Sequence, residues 1–196
     1  MTPTRTALAA GLALALAGCS SLGLTPASSR SQALDYLNDD LGAMALAFDL
    51  PEALEPVPGD SRLGFLVQVP GRGERQVAAL LVPGDAEAVA GLLPPPADGR
   101  SYYVFGLQGK DAAALREAQG WARAEAEGGA VPQTPVISIA PRFCATAALD
   151  AARLPVSVHL LVPGRTAVPL IEGQTLAALA ATSGGGRIPA CAGHSG

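Results

Sequence analysis

The sequence predicts an α+β fold in which helices pack on a mostly antiparallel sheet. Three observations lead to this prediction. Apolar residues alternate with polar or small ones over several short segments, as in half-buried strands. Short Pro-Gly turns join neighbouring segments, which is typical of hairpins. An Ala-rich stretch with helical spacing separates two such groups. Because 49% of the residues are hydrophobic and only 15% are charged, the chain can bury a core.

The first half of the chain shows this alternation clearly. A short helix is predicted over residues 30–41, because leucines recur at helical spacing after a Ser-Arg-Ser-Gln capping box and Gly42 follows. A second helix is predicted over residues 86–93, with Asp85 as its N-cap and three prolines after it. Strands are predicted over Met44–Leu50, Leu63–Val69 and Gln76–Val82, with a Pro-rich loop at 52–61 and a turn at 70–73.

The second half begins with an aromatic strand. Ser101–Leu107 carries aromatic side chains on both faces, which predicts a central position in the sheet. A helix follows, capped by Asp111 and running to Glu127. The remaining predicted elements are strands at Val136–Ala140, Leu154–Val162 and Thr166–Ile171, and a helix at Gln174–Ala181.

The order of elements suggests an internal duplication. Segments 43–95 and 133–183 each read as three strands followed by a helix, and each contains a similar Val-Pro-Gly turn. We therefore expect two diverged βββα repeats with a strand and a helix inserted between them. Alternating apolar residues and Pro-Gly turns also arise by chance, so the alternative of unrelated halves stays open.

The N-terminus has the form of an export signal. Residues 1–6 carry one cation, Arg5, and an apolar run of eleven residues, 7–17, follows. A membrane span needs about 20 apolar residues, so this run fits the hydrophobic region of a signal peptide instead. The next residues, Leu-Ala-Gly-Cys at 16–19, resemble the lipobox of bacterial lipoproteins. The chain is therefore identified as a member of the bacterial lipoproteins, and no specific family is identified for the mature domain.

This resemblance implies a lipid anchor. In lipoproteins the signal, here residues 1–18, is removed and the cysteine, here Cys19, receives fatty acyl chains such as palmitate. Two or three chains give a stable anchor. In that family an Asp after the cysteine favours the inner membrane, so Ser20 implies the outer membrane, facing the periplasm. Residues 19–30 then form a flexible tether and residues 31–196 a single domain. The alternative is a secreted protein cleaved after Ala15-Leu-Ala17.

Two cysteines remain once Cys19 carries lipid. Cys144 and Cys191 can form only one disulfide, which an oxidising compartment favours. That disulfide closes a loop of about 48 residues and ties the Gly-rich tail to the domain. The alternatives are two free thiols, or Cys144 acting as a nucleophile.

The charge excludes some partners. The formal net charge is −4 for the full chain. A mildly acidic domain lacks the basic surface that nucleic acid or anionic lipid headgroups require. The expected partners are the membrane, through the lipid anchor, and a protein of the cell envelope. No cofactor is expected.

Catalytic patterns are sparse. His159 lies on a predicted strand and shares one face with Ser157 and Leu161; it is either a structural histidine or the base of a hydrolase with an unidentified carboxylate. His194 stands near the end of the sequence, a poor position for a general base. Two further groups have both a functional and a structural interpretation. They are the acidic residues Asp35, Asp39 and Asp40, and the aromatic residues Tyr102, Tyr103, Phe105 and Trp121. The segment Gly106–Lys110 is not a P-loop, because its spacing is wrong and Asp111 stands where a Ser or Thr would bind Mg²⁺.

Taken together, the sequence predicts a membrane-anchored periplasmic lipoprotein that acts as a non-enzymatic accessory or binding module. The alternative is a periplasmic hydrolase that uses His159. A third interpretation, a carrier of small ligands, requires an apolar cavity between sheet and helix.

Overall fold

A computed structural model describes residues 34–89, 91–182 and 188–192. The predicted signal peptide, Cys19, the tether and His194 lie outside these residues. Within them the protein is a sheet-rich fold with two α-helices, α1 (Gly109–Glu127) and α2 (Leu176–Thr182). The predicted mostly antiparallel sheet with helices packed on it is therefore confirmed at this level.

Seven strands form the main sheet, which curls into a half-barrel. The order is β6-β3-β4-β5-β1-β8-β9, and every neighbouring pair is antiparallel. The aromatic strand β5 is the fourth of the seven, so its predicted central position is confirmed. These strands are β1 (Ala45–Pro51), β3 (Arg62–Val69), β4 (Gly73–Pro83), β5 (Arg100–Leu107), β6 (Val136–Ala140), β8 (Pro155–Leu161) and β9 (Val168–Thr175).

A second, two-stranded sheet pairs β2 (Leu54–Pro56) with β7 (Phe143–Ala145). Neither strand was predicted, and β2 lies inside the predicted Pro-rich loop. Strands of three residues are too short to show a period of two. Both depend on contacts made by the folded chain, such as the packing of Phe143 on Phe48 with ring centroids 6.2 Å apart.

The main core lies on one face of the large sheet, here called the inner face. Alternate side chains of β1 and β8 enter it, as the period of two predicts, and both helices cover it. The opposite, outer face carries a smaller cluster of Ala47, Val104 and Leu161. The largest fully buried side chains on the inner face include Leu46, Phe48, Leu50, Phe65, Leu115, Leu160, Leu176 and Leu179.

The helix predicted over 30–41 is wrong for the part that the structure describes. Residues 36–39 form turns, and a single 3-10 turn follows at Leu41–Ala43. One contact opposes the helix, because α1 takes the Tyr36 carbonyl, which in a helix would accept from the N–H of Asp40. The buried Gln119 amide donates to the carbonyls of Tyr36, at 2.7 Å, and Asp39, at 2.9 Å. Gly42 does not end a helix. It permits close approach, since a Cβ there would lie 2.8 Å from the Ala112 carbonyl of α1.

The helix predicted over 86–93 is also wrong. Only the 3-10 turn Glu87–Val89 forms, and residue 90 is outside the described part. Gly91 adopts a φ of 86°, which a right-handed helix cannot contain. The Asp85 carboxylate does accept a hydrogen bond from the Glu87 N–H, at 2.8 Å. This bond closes a local turn and does not cap a helix.

The helix α1 begins three residues earlier than predicted, since its N-cap is Gln108 rather than Asp111. The Asp111 carboxylate instead accepts a hydrogen bond from the Leu80 N–H of β4, at 3.1 Å. An acidic side chain in the first helical turn is favoured by the helix dipole as well. Asp111 therefore joins the helix to the sheet on which it packs.

Neither predicted repeat is a self-contained unit. In each one the second and third strands form a hairpin, β3–β4 and β8–β9. The first strand of each pairs with the hairpin of the other: β1 adds to β8, and β6 adds to β3. The first unit also lacks its helix, so the βββα pattern is not observed twice. What the two halves share is three antiparallel strands with their first strands exchanged.

Candidate functional site

His159 lies on the outer face of the sheet, as the strand pattern predicts. Its neighbours in register are Ala47 of β1 and Pro169 of β9. The imidazole is half-buried, and its edge contacts the Tyr102 ring of β5 with centroids 6.4 Å apart. The histidine is therefore held against the central strands of the sheet, at its outer surface.

Burial dominates the electrostatics of His159. Loss of solvent lowers the pKa of the imidazole below its usual value, while the carboxylates of Asp49 and Glu172 oppose that shift. Burial also raises the pKa of the neighbouring Tyr102 hydroxyl, with a further contribution from Asp49. Near neutral pH this part of the outer face therefore holds a neutral imidazole beside a neutral phenol.

Two polar groups of the outer face near His159, the Asp49 carboxylate and the Ser157 hydroxyl, have other partners. Asp49 accepts a hydrogen bond from Arg100 Nε at 2.7 Å, and Arg100 also donates to the Asp49 and Pro155 carbonyls. The Ser157 hydroxyl accepts from the Gly173 N–H at 3.2 Å, where β9 is irregular. A hydrolase of the predicted kind needs a carboxylate on the imidazole and a hydroxyl beside it. The ion pair with Arg100 gives Asp49 a structural role instead.

His159 yields a testable pH dependence. Its pKa is lower in the folded protein than the value of about 6.5 in an unfolded chain. The contribution to stability is therefore complete above that value and is lost as the pH falls through the folded pKa, because the unfolded chain binds the proton first. We expect the free energy of unfolding of His159→Gln to fall less than that of wild type between about pH 7.5 and pH 5.

Urea denaturation across this pH range measures the difference. His194→Gln, which removes the chain's other histidine, is the matched control and is expected to keep the wild-type slope. Equal slopes for His159→Gln and wild type would contradict the burial argument, since the slope reports the difference in bound protons between the two states.

The polarity of the side chains on the outer face changes from one row of residues to the next. The middle row consists of Val104, Ala47 and His159 in register on β5, β1 and β8. The row on one side is polar, with Tyr102, Asp49 and Ser157. The row on the other side is apolar: Ala45 and Leu161 are in register, and Gly106 extends it on β5, where its partner is Val82 of β4. The outer face is thus polar at one end and apolar at the other.

The apolar end opens into a groove of about 770 Å³, here called the outer groove. Its floor is the row of Gly106, Ala45 and Leu161. Its walls are the loops at 84–92 and 162–166. Leu92 on one wall is 51% exposed, which is unusual for a large apolar side chain in this protein. This volume lies in the range of ordinary ligand pockets.

The outer groove was missed by sequence reasoning. Small residues alternating on β1, at Ala45 and Ala47, carry the only signal of a shallow surface there. A second open groove, of about 760 Å³, lies between the loop at 145–151 and α2 and is lined largely by alanines. Neither groove is the apolar cavity between sheet and helix that a small-ligand carrier was expected to need.

The disulfide joins Cys144 and Cys191, as the cysteine count predicts. Cys144 lies on β7, and the segment around Cys191 runs beside it with backbone hydrogen bonds of 2.8 and 2.9 Å to Ala145. The Glu55 carboxylate lies with the two sulfur atoms within 4.8 Å. Since the sulfurs are bonded to each other, they are not the thiolates that a metal ion would bind.

The acidic residues near the start of the described chain are paired with cations or amides. Asp40 forms two hydrogen bonds with Arg116, at 2.8 and 3.0 Å, which lower the pKa of its carboxyl. Asp39 pairs with Arg165 at 2.8 Å. Asp35 accepts from the Asn38 amide, which lowers its carboxyl pKa. These contacts fit the structural interpretation of the group, although on turns rather than on a helix.

The aromatic residues do not form one pocket. Tyr103 and Phe105 face the inner core, whereas Tyr102 lies on the outer face. Trp121 of α1 lies under the Arg75 guanidinium, 4.4 Å from its ring centroid. Packing therefore accounts for most of this aromatic content. The Gly106–Lys110 segment includes the start of α1. Within this segment, Gly106 also lies in the floor of the outer groove.

Comparison with known proteins identifies no relative, since the chain matches no family model, no curated protein and no solved structure. In the part of the chain that the structure describes, neither helix has the length and apolar character needed to span a bilayer.

Proposed function

We propose that this protein is a lipid-anchored lipoprotein of the cell envelope, placed on the outer membrane facing the periplasm, and that it acts as a binding module without enzymatic activity. The lipobox at 16–19 behind an apolar run of signal-peptide length carries the proposal. The Cys144–Cys191 bond supports it, because disulfides persist in oxidising compartments such as the periplasm.

The outer groove supports the binding role. Two loops bound an open groove over the sheet, with Leu92 exposed at its edge and the partly exposed Ala45 and Gly106 in its floor. Largely apolar grooves of this volume are common ligand-binding sites. The hydrolase remains an alternative prediction, and the ion pair of Asp49 with Arg100 does not favour it.

Fatty-acid labelling tests the anchor. Cells that express the full chain are fed an alkyne-tagged palmitate, and the protein is then isolated and its label detected. We expect wild type to carry the label and to sediment with membranes. Cys19→Ser is expected to lose the label and to leave the membrane fraction, since no acyl chain remains to hold it. The matched variant Cys144→Ser removes a different cysteine and should keep the label.

An unlabelled wild-type protein, or Cys19→Ser that still matures and stays on the membrane, would overturn the proposed anchor.

We also infer that the two halves arose by duplication. The reciprocal exchange of β1 and β6 supports this inference, because the same unusual pairing occurs in both halves.

A further inference from the structure

The outer groove exists because side chains are missing from its floor. A Cβ built on Gly106 would have no heavy atom within 4 Å, so a side chain there would enter open space. Gly106 has no positive φ, its partner in register is Val82 of β4, and it lines the groove together with the small residue Ala45. The floor is therefore both apolar and open to the surface.

Charged groups stand only at the edges of this groove in the described part of the chain. Asp85 and Arg165 are its charged lining residues, and Arg165 is already paired with Asp39. The remaining lining is glycine, alanine, proline, threonine and aliphatic side chains. A ligand for this groove is therefore an uncharged, flexible apolar chain rather than an ion or a sugar.

The start of the described chain lies beside the groove. The Asp39–Arg165 ion pair, at 2.8 Å, joins the first described segment to the loop that forms one wall. Ala43, a few residues later, lines the groove itself. The lipid-bearing Cys19 precedes Leu34 by 15 residues, so fully extended chain reaches about 50 Å. The proposed lipid anchor therefore limits how far the groove can lie from the lipid surface.

We propose that the outer groove binds one acyl chain of a membrane phospholipid. The proposal rests on the proposed lipid anchor, which keeps phospholipid at a high local concentration next to the groove. The gain comes from burying methylene groups against Ala45, Gly106 and the exposed Leu92, a contribution that grows with every methylene buried. The occupant comes from the bilayer and is distinct from the chains attached to Cys19.

Photocrosslinking in vesicles tests this proposal. The full lipidated chain is reconstituted into vesicles of phosphatidylethanolamine and phosphatidylglycerol, in which part of the phosphatidylethanolamine carries a diazirine in its acyl chain. After irradiation, vesicles are floated and the adducts are mapped by mass spectrometry. We expect adducts on peptides that contain the groove floor, around Ala45, Gly106 and Leu161.

Two groove variants and one matched control variant are compared with wild type in the same experiment. Gly106→Leu fills the groove and is expected to lose these adducts. Gly59→Leu makes the same change at an exposed site that also has no atom within 4 Å, and it should keep them. Leu92→Asp places a charge on the exposed wall and should reduce the adducts; it decides the question if Gly106→Leu fails to fold by circular dichroism.

The outcomes separate the two proposals. Wild-type protein that does not float with the vesicles contradicts the lipid anchor, whatever the groove binds. Wild-type protein that floats but shows no groove adducts, or adducts spread evenly over its surface, overturns the acyl-chain proposal alone. Adducts that persist in both folded groove variants overturn it as well.

Discussion

Replacing both Cys144 and Cys191 by alanine is expected to lower the free energy of unfolding by about 4 kcal/mol, because the disulfide closes a loop of about 48 residues in the unfolded chain. The bond also holds the segment 188–192 against β7, where Ala145 forms a parallel bridge with Ala190. Urea denaturation of the oxidised wild type and the double variant measures the loss.

A reducing agent provides the internal control for this prediction. Wild-type protein that is fully reduced should unfold at the urea concentration of the double variant, and the double variant should not respond to the reductant. A wild-type stability that does not change on verified reduction would show that the β2–β7 pairing and the surrounding backbone hydrogen bonds hold this region without the disulfide.

Phe48→Ala is expected to destabilise the protein by about 3–5 kcal/mol, the range for removing a large buried aromatic side chain. Phe48 is 1% exposed on β1, in the middle of the inner core. Its ring makes edge contacts with Phe105, at 5.3 Å between centroids, and with Phe143, at 6.2 Å. Phe48 therefore links three strands, and its loss affects the main sheet and the small sheet together.

Two other substitutions define the scale of that result. Phe48→Leu keeps an apolar side chain in the cavity and should cost clearly less than alanine. Val131→Ala changes an apolar residue that is 80% exposed, and its effect should stay within about 0.5 kcal/mol. Equal losses for alanine and leucine at position 48 would mean that the ring contacts, rather than buried volume, dominate at this site.

Several strands of the main sheet could be predicted from the sequence because segments such as β3, β4 and β8 have their own alternating pattern. The helix α1 could be predicted for a similar reason, since all the apolar residues of its buried face lie in one continuous segment at helical spacing. The two helices that were predicted wrongly, 30–41 and 86–93, have the right local pattern, but contacts from elsewhere decide their structure. Gln119 takes carbonyls from the first, and Gly91 breaks the second. Neither effect is visible in a short window of sequence.

In the candidate site, too, local patterns could be predicted from the sequence and contacts between distant residues could not. The face of the strand on which His159 lies could be predicted from the period of two. The engagement of Asp49 by Arg100 could not, because the two residues are far apart in sequence and meet only when β1 and β5 pair. The outer groove likewise combines two loops and three strands, and its defining property is a missing side chain at Gly106.

The exchange of first strands between the two halves has a consequence for the timing of folding. β1 gains its second neighbour only when β8 is available, far later in the chain, as the pairing of Ala45 with Leu161 shows. Contacts of such sequence separation form slowly. For an exported polypeptide, as proposed here, β1 would lack its second neighbouring strand until the segment that forms β8 has been synthesised. This delay favours a conformation loose enough to be transported.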